Sequence, residues 1–160
     1  MKTLILYATK HGAARETAER IALYIEGAEV FDLKEERIPD IGGFECVIIG
    51  SSVYAGMIRG EAKSFMEREA GRLAGKRLGL FVCGLGTSRE KEVFESNFPE
   101  ALLRQAKTAT HVGGIYDPEK VGFFERFIMK MVTKQTEYVN TLDDGKIKEF
   151  AEDMTADGDI

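Results

Sequence analysis

A regular alternation of short apolar runs with helical patterns constrains this chain more than any other feature. The apolar runs cover residues 3–8, 28–33, 46–50, 78–83 and 110–115. Short runs without polar alternation are typical of strands that are buried on both faces of a parallel sheet. Strands that alternate with helices imply βαβ units and right-handed crossovers. The sequence therefore predicts a three-layer, doubly wound α/β fold with a five-stranded parallel sheet.

Helical periodicity fills most of the intervals between these runs. The helical patterns occupy residues 14–25, 62–73, 93–106, 123–132 and 147–154. Pro99 predicts a kink or a late start in the third pattern, because proline lacks the N–H that a helix interior needs. The second crossover, residues 34–43, is short enough to hold only an irregular segment or a brief helix. No repeat or linker divides the chain, so we expect one domain spanning residues 1–160.

Charge and composition exclude several classes of partner. The net charge of −5 gives no electrostatic support for binding nucleic acid. No apolar run approaches the roughly 20 residues of a membrane span, and the N-terminus lacks the pattern of a secretory signal. We therefore expect a cytoplasmic protein without a transmembrane segment. Cys46 and Cys83 lie in strand-like runs without the spacing of metal ligands, which predicts buried thiols and no metal site.

The first apolar run passes directly into a polar, glycine-containing turn and then into a helix. Such a turn collects unpaired backbone N–H groups and the positive end of a helix dipole, which favours phosphate. The turn is neither a Walker A motif nor a GxGxxG fingerprint. The candidate phosphate loop is Thr9, Lys10, His11, Gly12, Ala13 and Ala14. The alternative is an ordinary strand–helix turn with Thr9 as the N-cap.

Three further loops follow the predicted strands at the same edge of the sheet. They are Ser51, Ser52, Val53, Tyr54, Ala55 and Gly56 after the third strand, Cys83, Gly84, Leu85, Gly86 and Thr87 after the fourth, and Gly113, Gly114, Ile115 and Tyr116 after the fifth. Ligands of doubly wound sheets bind at the carboxyl ends of the strands, and glycines let the backbone approach them closely. Together the loops predict a flat ligand that carries a phosphate.

The first loop resembles the phosphate loop of flavodoxins, usually Thr/Ser-x-Thr-Gly-x-Thr, and the chain is similar throughout to the flavodoxin-like fold. The resemblance implies the strand order 2-1-3-4-5 and a non-covalently bound FMN held by the loop residues named above. His11 stands where a threonine is usual, and Ala14 stands where the final threonine usually stands. The resemblance therefore implies that two side-chain hydroxyls to the phosphate are missing, and that backbone amides compensate for them or that Thr17 or Arg15 contributes.

Residues 1–12, 47–56, 113–116 and 124–131 are similar to the branch of this family that includes menaquinone-dependent protoporphyrinogen IX dehydrogenase. The resemblance implies a carrier of electrons between a redox partner protein and an acceptor. The alternative is a dehydrogenase that oxidises a porphyrinogen-like substrate and passes the electrons to a quinone. Residues 85–110 are compact compared with that dehydrogenase, which favours the carrier. A third hypothesis is a flavin-free binding module, supported by His11 and Ala14.

Two tyrosines and two histidines are candidates for finer roles. Tyr54 and Tyr116 are the aromatic candidates for contact with a flavin ring, although each could instead be a half-buried residue at a strand end. His11 is a proton donor near the flavin, a phosphate contact when protonated, or an exposed loop residue. His111 falls near the start of the predicted fifth strand, at the far end from the site, and we assign it no role.

Residues 123–134, from Phe123 to Lys134, form an amphipathic pattern with a broad apolar face. Arg126, Lys130 and Lys134 recur at four-residue spacing on another face. A basic amphipathic helix predicts peripheral contact with an anionic membrane surface, where a quinone is reached. The alternative is a helix packed on the core with solvated basic side chains.

Overall fold

The computed structural model describes residues 1–35, 37–86 and 89–157. The elements follow in the order β1 (Thr3–Ala8), α1 (Ala13–Leu23), β2 (Glu29–Asp32), a 3₁₀ turn (Ile41–Gly43), β3 (Cys46–Tyr54), β4 (Met57–Ile58), α2 (Gly60–Leu73), β5 (Arg77–Cys83), α3 (Glu90–Asn97), α4 (Glu100–Gln105), β6 (Thr108–His111), β7 (Ile115–Tyr116), α5 (Phe123–Val132), β8 (Val139–Asn140) and α6 (Asp144–Thr155).

The main sheet has the order β2-β1-β3-β5-β6, and all of these neighbours are parallel. With β5 and β6 counted as the fourth and fifth parallel strands, the predicted doubly wound order 2-1-3-4-5 is confirmed. The short β4 pairs antiparallel with the end of β3, and β7 and β8 form a separate two-stranded ladder. Ala8 pairs with Ser51 and Ser52 pairs with Cys83, so β1, β3 and β5 end at the same edge.

Two apolar cores lie on opposite faces of this sheet. Along β1, Leu4 and Leu6 belong to the core under α2, α3 and α4, whereas Ile5 and Tyr7 belong to the core under α1 and α6. Every residue of β1 is buried, because helices cover both faces of the strand. This burial explains why the strand reads as a continuous apolar run rather than an alternating one.

The predicted fifth strand, residues 110–115, is wrong in its extent. β6 ends at His111, and Ile115 begins β7 in the other ladder. Gly113 makes the turn between them with a φ of 93°, and a Cβ at this residue would lie 2.0 Å from the carbonyl oxygen of Thr141. The predicted interruption at Pro99 is confirmed, because α3 ends before this proline and α4 begins after it.

The close approach of β3 to Phe81 generates a stability prediction. A Cβ on Gly50 would lie 1.9 Å from Cζ of Phe81, which is fully buried. We expect Gly50→Ala to lower the free energy of unfolding by about 1–3 kcal/mol or more, since overpacking forces the ring and the backbone apart. Gly71→Ala, on the exposed side of α2, should instead raise it by about 0.5–1 kcal/mol through helix propensity. Urea unfolding measures both, and equal effects would contradict the expected contact.

Candidate functional site

The turn between β1 and α1 is closed by a side-chain hydrogen bond. The amide of Gly12 donates to Oγ1 of Thr9 at 2.9 Å. The N-cap of α1 is Gly12, with a φ of 102°, and not Thr9, because the helix begins at Ala13. Among the described residues, the amides of Ala13 and Ala14 have no hydrogen-bond acceptor. Free N–H groups and the positive end of the helix dipole therefore meet in the predicted phosphate loop.

A carboxylate from a distant helix contacts the lysine and the histidine of this loop. Glu125, in the first turn of α5, forms an ion pair with Nζ of Lys10. Its Oε2 lies 2.6 Å from Nε2 of His11, so His11 is not the exposed loop residue considered above. We name these three residues the loop–α5 cluster. Sequence analysis missed Glu125 because it lies 114 positions after His11.

The loop–α5 cluster is half-buried and charged. The side chains of Lys10 and His11 are each 29% exposed and that of Glu125 is 19% exposed. Burial opposes ionisation of Glu125, but the hydrogen bonds from Lys10 and His11 outweigh it and hold the pKa of this carboxyl below its usual range. Nζ of Lys10 also lies 4.4 Å from the ring centroid of Tyr54, a cation–π contact. The structure thus brings Tyr54 to the phosphate loop.

The residues after the third predicted strand continue that strand instead of forming a loop. β3 continues through Ser51 and Ser52 to Tyr54. Oγ of Ser51 accepts from the amide of Arg59 at 2.9 Å, and Oγ of Ser52 accepts from the amide of Lys10 at 3.2 Å. The second of these bonds joins the phosphate loop to the end of β3. The two serine hydroxyls are thus engaged in backbone contacts.

A two-residue turn links β3 to β4 at this edge. Ala55 and Gly56 have φ angles of 51° and 77°, which is typical of the turns that match the twist of a hairpin. Nδ2 of Asn97 donates to the carbonyl oxygen of Gly56 at 2.8 Å, and its Oδ1 accepts from the amide of Ile58 at 3.1 Å. Asn97 was missed, because in the sequence it is indistinguishable from an ordinary residue at a helix end.

The loop after β5 is held by the end of β6. The amide of Gly84 donates to the carbonyl oxygen of Gly113 at 2.9 Å, and Nε2 of His111 donates to the carbonyl oxygen of Gly84 at 2.8 Å. A Cβ on Gly114 would lie 2.6 Å from the carbonyl carbon of Gly84, so the two backbones pack directly on each other. The placement of His111 at the far end is wrong, because His111 ends β6 rather than beginning the fifth strand.

His111 is a buried anchor for this loop. The residue is 4% exposed, and its Nδ1 has no hydrogen-bond partner within the described part of the chain. Because a carbonyl oxygen can only accept a hydrogen bond, Nε2 of His111 carries a proton in this contact. Leu85 is half-buried and Gly86 is exposed in the same loop, while Thr87 lies outside the described residues.

Cys83 and Tyr116 present little side-chain surface to a ligand. Burial raises the pKa of the Cys83 thiol to about 12, and its Sγ lies 3.3 Å from Oγ1 of Thr17 in the core under α1. The backbone of Cys83 is therefore the part that can serve the predicted site. Tyr116 is 5% exposed and pairs with Val139 in the β7–β8 ladder. Its contact with a flavin stays a prediction, as do the contacts of half-buried Val53 and of the other loop residues.

α5 is an exposed helix, and the alternative that it packs on the core is wrong. None of its residues is buried. Its outward face is apolar, with exposed fractions of 81% for Phe123, 54% for Phe127 and 68% for Met131. Arg126 and Lys130 are exposed as well. Among the helices of residues 1–35, 37–86 and 89–157, none combines the length and apolar character needed to cross a membrane.

The described fold agrees with comparisons to known proteins. Residues 4–143 match the family described as Flavodoxin domain, and the chain belongs to this family. Protoporphyrinogen IX dehydrogenase [quinone] from Escherichia coli is 24% identical over 147 residues, covering 85% of this chain and 81% of that protein.

Two solved structures share the whole architecture. Flavodoxin 2 from Bacillus cereus has a TM-score of 0.62 at 20% identity and covers 96% of this chain and 97% of its own. A Fusobacterium nucleatum flavodoxin, described as bound to flavin mononucleotide, has a TM-score of 0.58 at 14% identity, with coverage of 96% and 97%. At these identities the likeness shows the fold.

The Asn97 contacts generate a local prediction. Removing the side chain in Asn97→Ala leaves the amide of Ile58 without its acceptor, so we expect a loss of about 1–2 kcal/mol in the free energy of unfolding. Hydrogen exchange at the Ile58 amide should quicken. Asn97→Asp keeps an acceptor and should retain more of this protection. Asn140→Ala, which removes an exposed asparagine in β8, is the control; equal exchange at Ile58 in all variants would refute the role of Asn97.

Proposed function

We propose that the protein binds FMN non-covalently at the carboxyl edge of its sheet and carries electrons between a donor and an acceptor. The loop–α5 cluster is the observation that carries this proposal. Lys10 and His11 already hold one anionic group, the carboxylate of Glu125, next to the free amides at the start of α1. A lysine and a histidine N–H beside a helix N-terminus are a donor set that fits a phosphate monoester.

The neighbouring loops fit the flat ring of the same cofactor. Gly86 is exposed in the loop after β5, and Tyr54 borders the candidate phosphate loop. FMN supplies the electron-accepting ring when bound, whereas the residues of this chain bind it, orient it and exclude water. Membership of the flavodoxin-domain family and the FMN bound to the Fusobacterium nucleatum neighbour support FMN as the cofactor.

Retention of FMN is the direct test. The purified protein is incubated with FMN, desalted, and examined by absorption spectroscopy. We expect retained flavin that is reduced reversibly by dithionite without oxygen and that passes its electrons to ferricyanide. Failure to retain any flavin would overturn the proposal and favour a flavin-free binding module.

A charge-removing variant tests the phosphate loop itself. We expect Lys10→Met to weaken FMN about tenfold, because a cation that meets a phosphate contributes on the order of 1–2 kcal/mol. Lys63→Met is the matched control, since this lysine is exposed on α2. Flavin fluorescence titrations measure both. Equal affinities in the two variants would place the phosphate elsewhere.

A second candidate is an FMN-dependent dehydrogenase that passes electrons to a quinone. The exposed apolar face of α5 favours it, because quinones dissolve in bilayers and a plain carrier has no need of such a face. Arg126 and Lys130 are exposed on the same helix and complement an anionic lipid surface, whereas Lys134 lies beyond the end of α5 at Val132 and not on the predicted helical face. The name of the Escherichia coli relative, protoporphyrinogen IX dehydrogenase [quinone], supports a porphyrinogen substrate and a quinone acceptor.

Vesicle binding tests this candidate. We expect the protein to sediment with vesicles that contain phosphatidylglycerol and to do so less with neutral phosphatidylcholine vesicles. The double variant Phe124→Ser/Phe127→Ser should lose about tenfold in binding, since two exposed aromatic rings are removed from the contact. Leu23→Ser, at an exposed apolar residue of α1, should bind as the parent protein does.

The chemistry separates the two candidates. A dehydrogenase oxidises protoporphyrinogen when quinone is supplied, which is followed by the fluorescence of the porphyrin product. A protein that reduces ferricyanide but leaves protoporphyrinogen untouched is a carrier.

A further inference from the structure

The phosphate loop and α5 are joined through a single carboxylate. Within the described residues, both salt bridges that α5 makes to other elements run through Glu125, to Lys10 and to His11. The rest of the helix adds little, because none of its residues is buried and only Ile128 and Met129 besides Glu125 are half-buried. Glu125 is therefore the main polar contact that fastens α5 to the loop.

The same two side chains are the hydrogen-bond donors that a phosphate would use. Oε2 of Glu125 lies 2.6 Å from Nε2 of His11, and its other oxygen is paired with Nζ of Lys10. A phosphate monoester is a dianion near neutral pH, and like charges that share one set of donors repel each other. Nε2 of His11 has a single N–H and cannot donate to the carboxylate and the phosphate at once, and Lys10 must divide its charge between them.

We propose that Glu125 is a specificity-determining residue that competes with the phosphate of the flavin for Lys10 and His11, so that phosphate binding unfastens α5 from the loop. The inference rests on the FMN site proposed above and deepens it. Glu125 lowers the ratio of the affinity for a phosphorylated flavin to the affinity for an unphosphorylated one. It also makes the exposed apolar face of α5 respond to the cofactor.

A positioning role for Glu125 has the opposite consequence. If the carboxylate only positioned Lys10 and His11 for the phosphate, its removal would lower the affinity for FMN. If the carboxylate competes with the phosphate, its removal raises the affinity for FMN. Riboflavin has the same ring without the phosphate, so the ratio of the two affinities isolates the phosphate from the ring.

The experiment titrates FMN and riboflavin into the parent protein, Glu125→Gln and Glu119→Gln. The last variant is the matched control, because Glu119 is exposed on the segment before α5 and its loss changes the net charge equally. We expect Glu125→Gln to raise the preference for FMN over riboflavin about tenfold, corresponding to about 1.4 kcal/mol. Glu119→Gln should leave the preference unchanged.

Hydrogen exchange of residues 123–132 gives a second readout. Exchange in α5 should quicken when the parent protein binds FMN or inorganic phosphate, and should not change with riboflavin. In Glu125→Gln, exchange in α5 should be fast without any ligand and should not change when phosphate is added. Circular dichroism checks that both variants fold.

The outcomes separate this inference from the proposed function. An FMN preference in Glu125→Gln that falls, or that stays within about twofold of the parent, overturns competition while leaving the FMN site intact. A parent protein that binds neither flavin overturns the FMN site. In that event, inorganic phosphate that leaves α5 exchange unchanged overturns the inference as well.

Discussion

The register that aligns the carboxyl ends of β1, β3 and β5 is the constraint on which the rest of the structure depends. Because Ala8 pairs with Ser51 and Ser52 pairs with Cys83, the segments that follow these positions in β1, β3 and β5 lie at the same edge of the sheet. Buried side chains on both faces fix this register, since a slip of one residue would exchange the two cores. Short loops can then contact each other directly, as the bond from the amide of Lys10 to Ser52 shows.

Features that follow from local pattern were predictable from the sequence. The apolar run of β1 and the polar turn after it predicted a strand, an anion-favouring loop and a helix, and α5 was predicted at Phe123–Val132. Contacts between distant segments were not predictable. Glu125 reaches His11 across 114 positions, and no periodicity relates the two. His111 was misplaced because the turn at Gly113 ends the strand earlier than the apolar run suggests.

α5 differs physically from the helices that cover the sheet. α1, α2 and α6 each bury several apolar residues, so their positions are determined by the cores. α5 buries none and is held at its first turn by charge. Ion pairs between partly exposed groups are weak, and another ion can displace either partner. Buried apolar contacts are not displaced by ions in this way. The helix is thus the element of the fold whose attachment small anions can alter.

The burial of Cys83 affects how well a flavin-binding protein resists oxidation. Flavins react with oxygen, and the peroxide that results attacks thiolates rather than thiols. A thiol with a pKa of about 12 and 1% exposure stays protonated and shielded, although it directly precedes the loop at Gly84. Repeated redox cycles in air would consequently spare this cysteine from sulfenic acid formation, and the core under α1 would keep its shape.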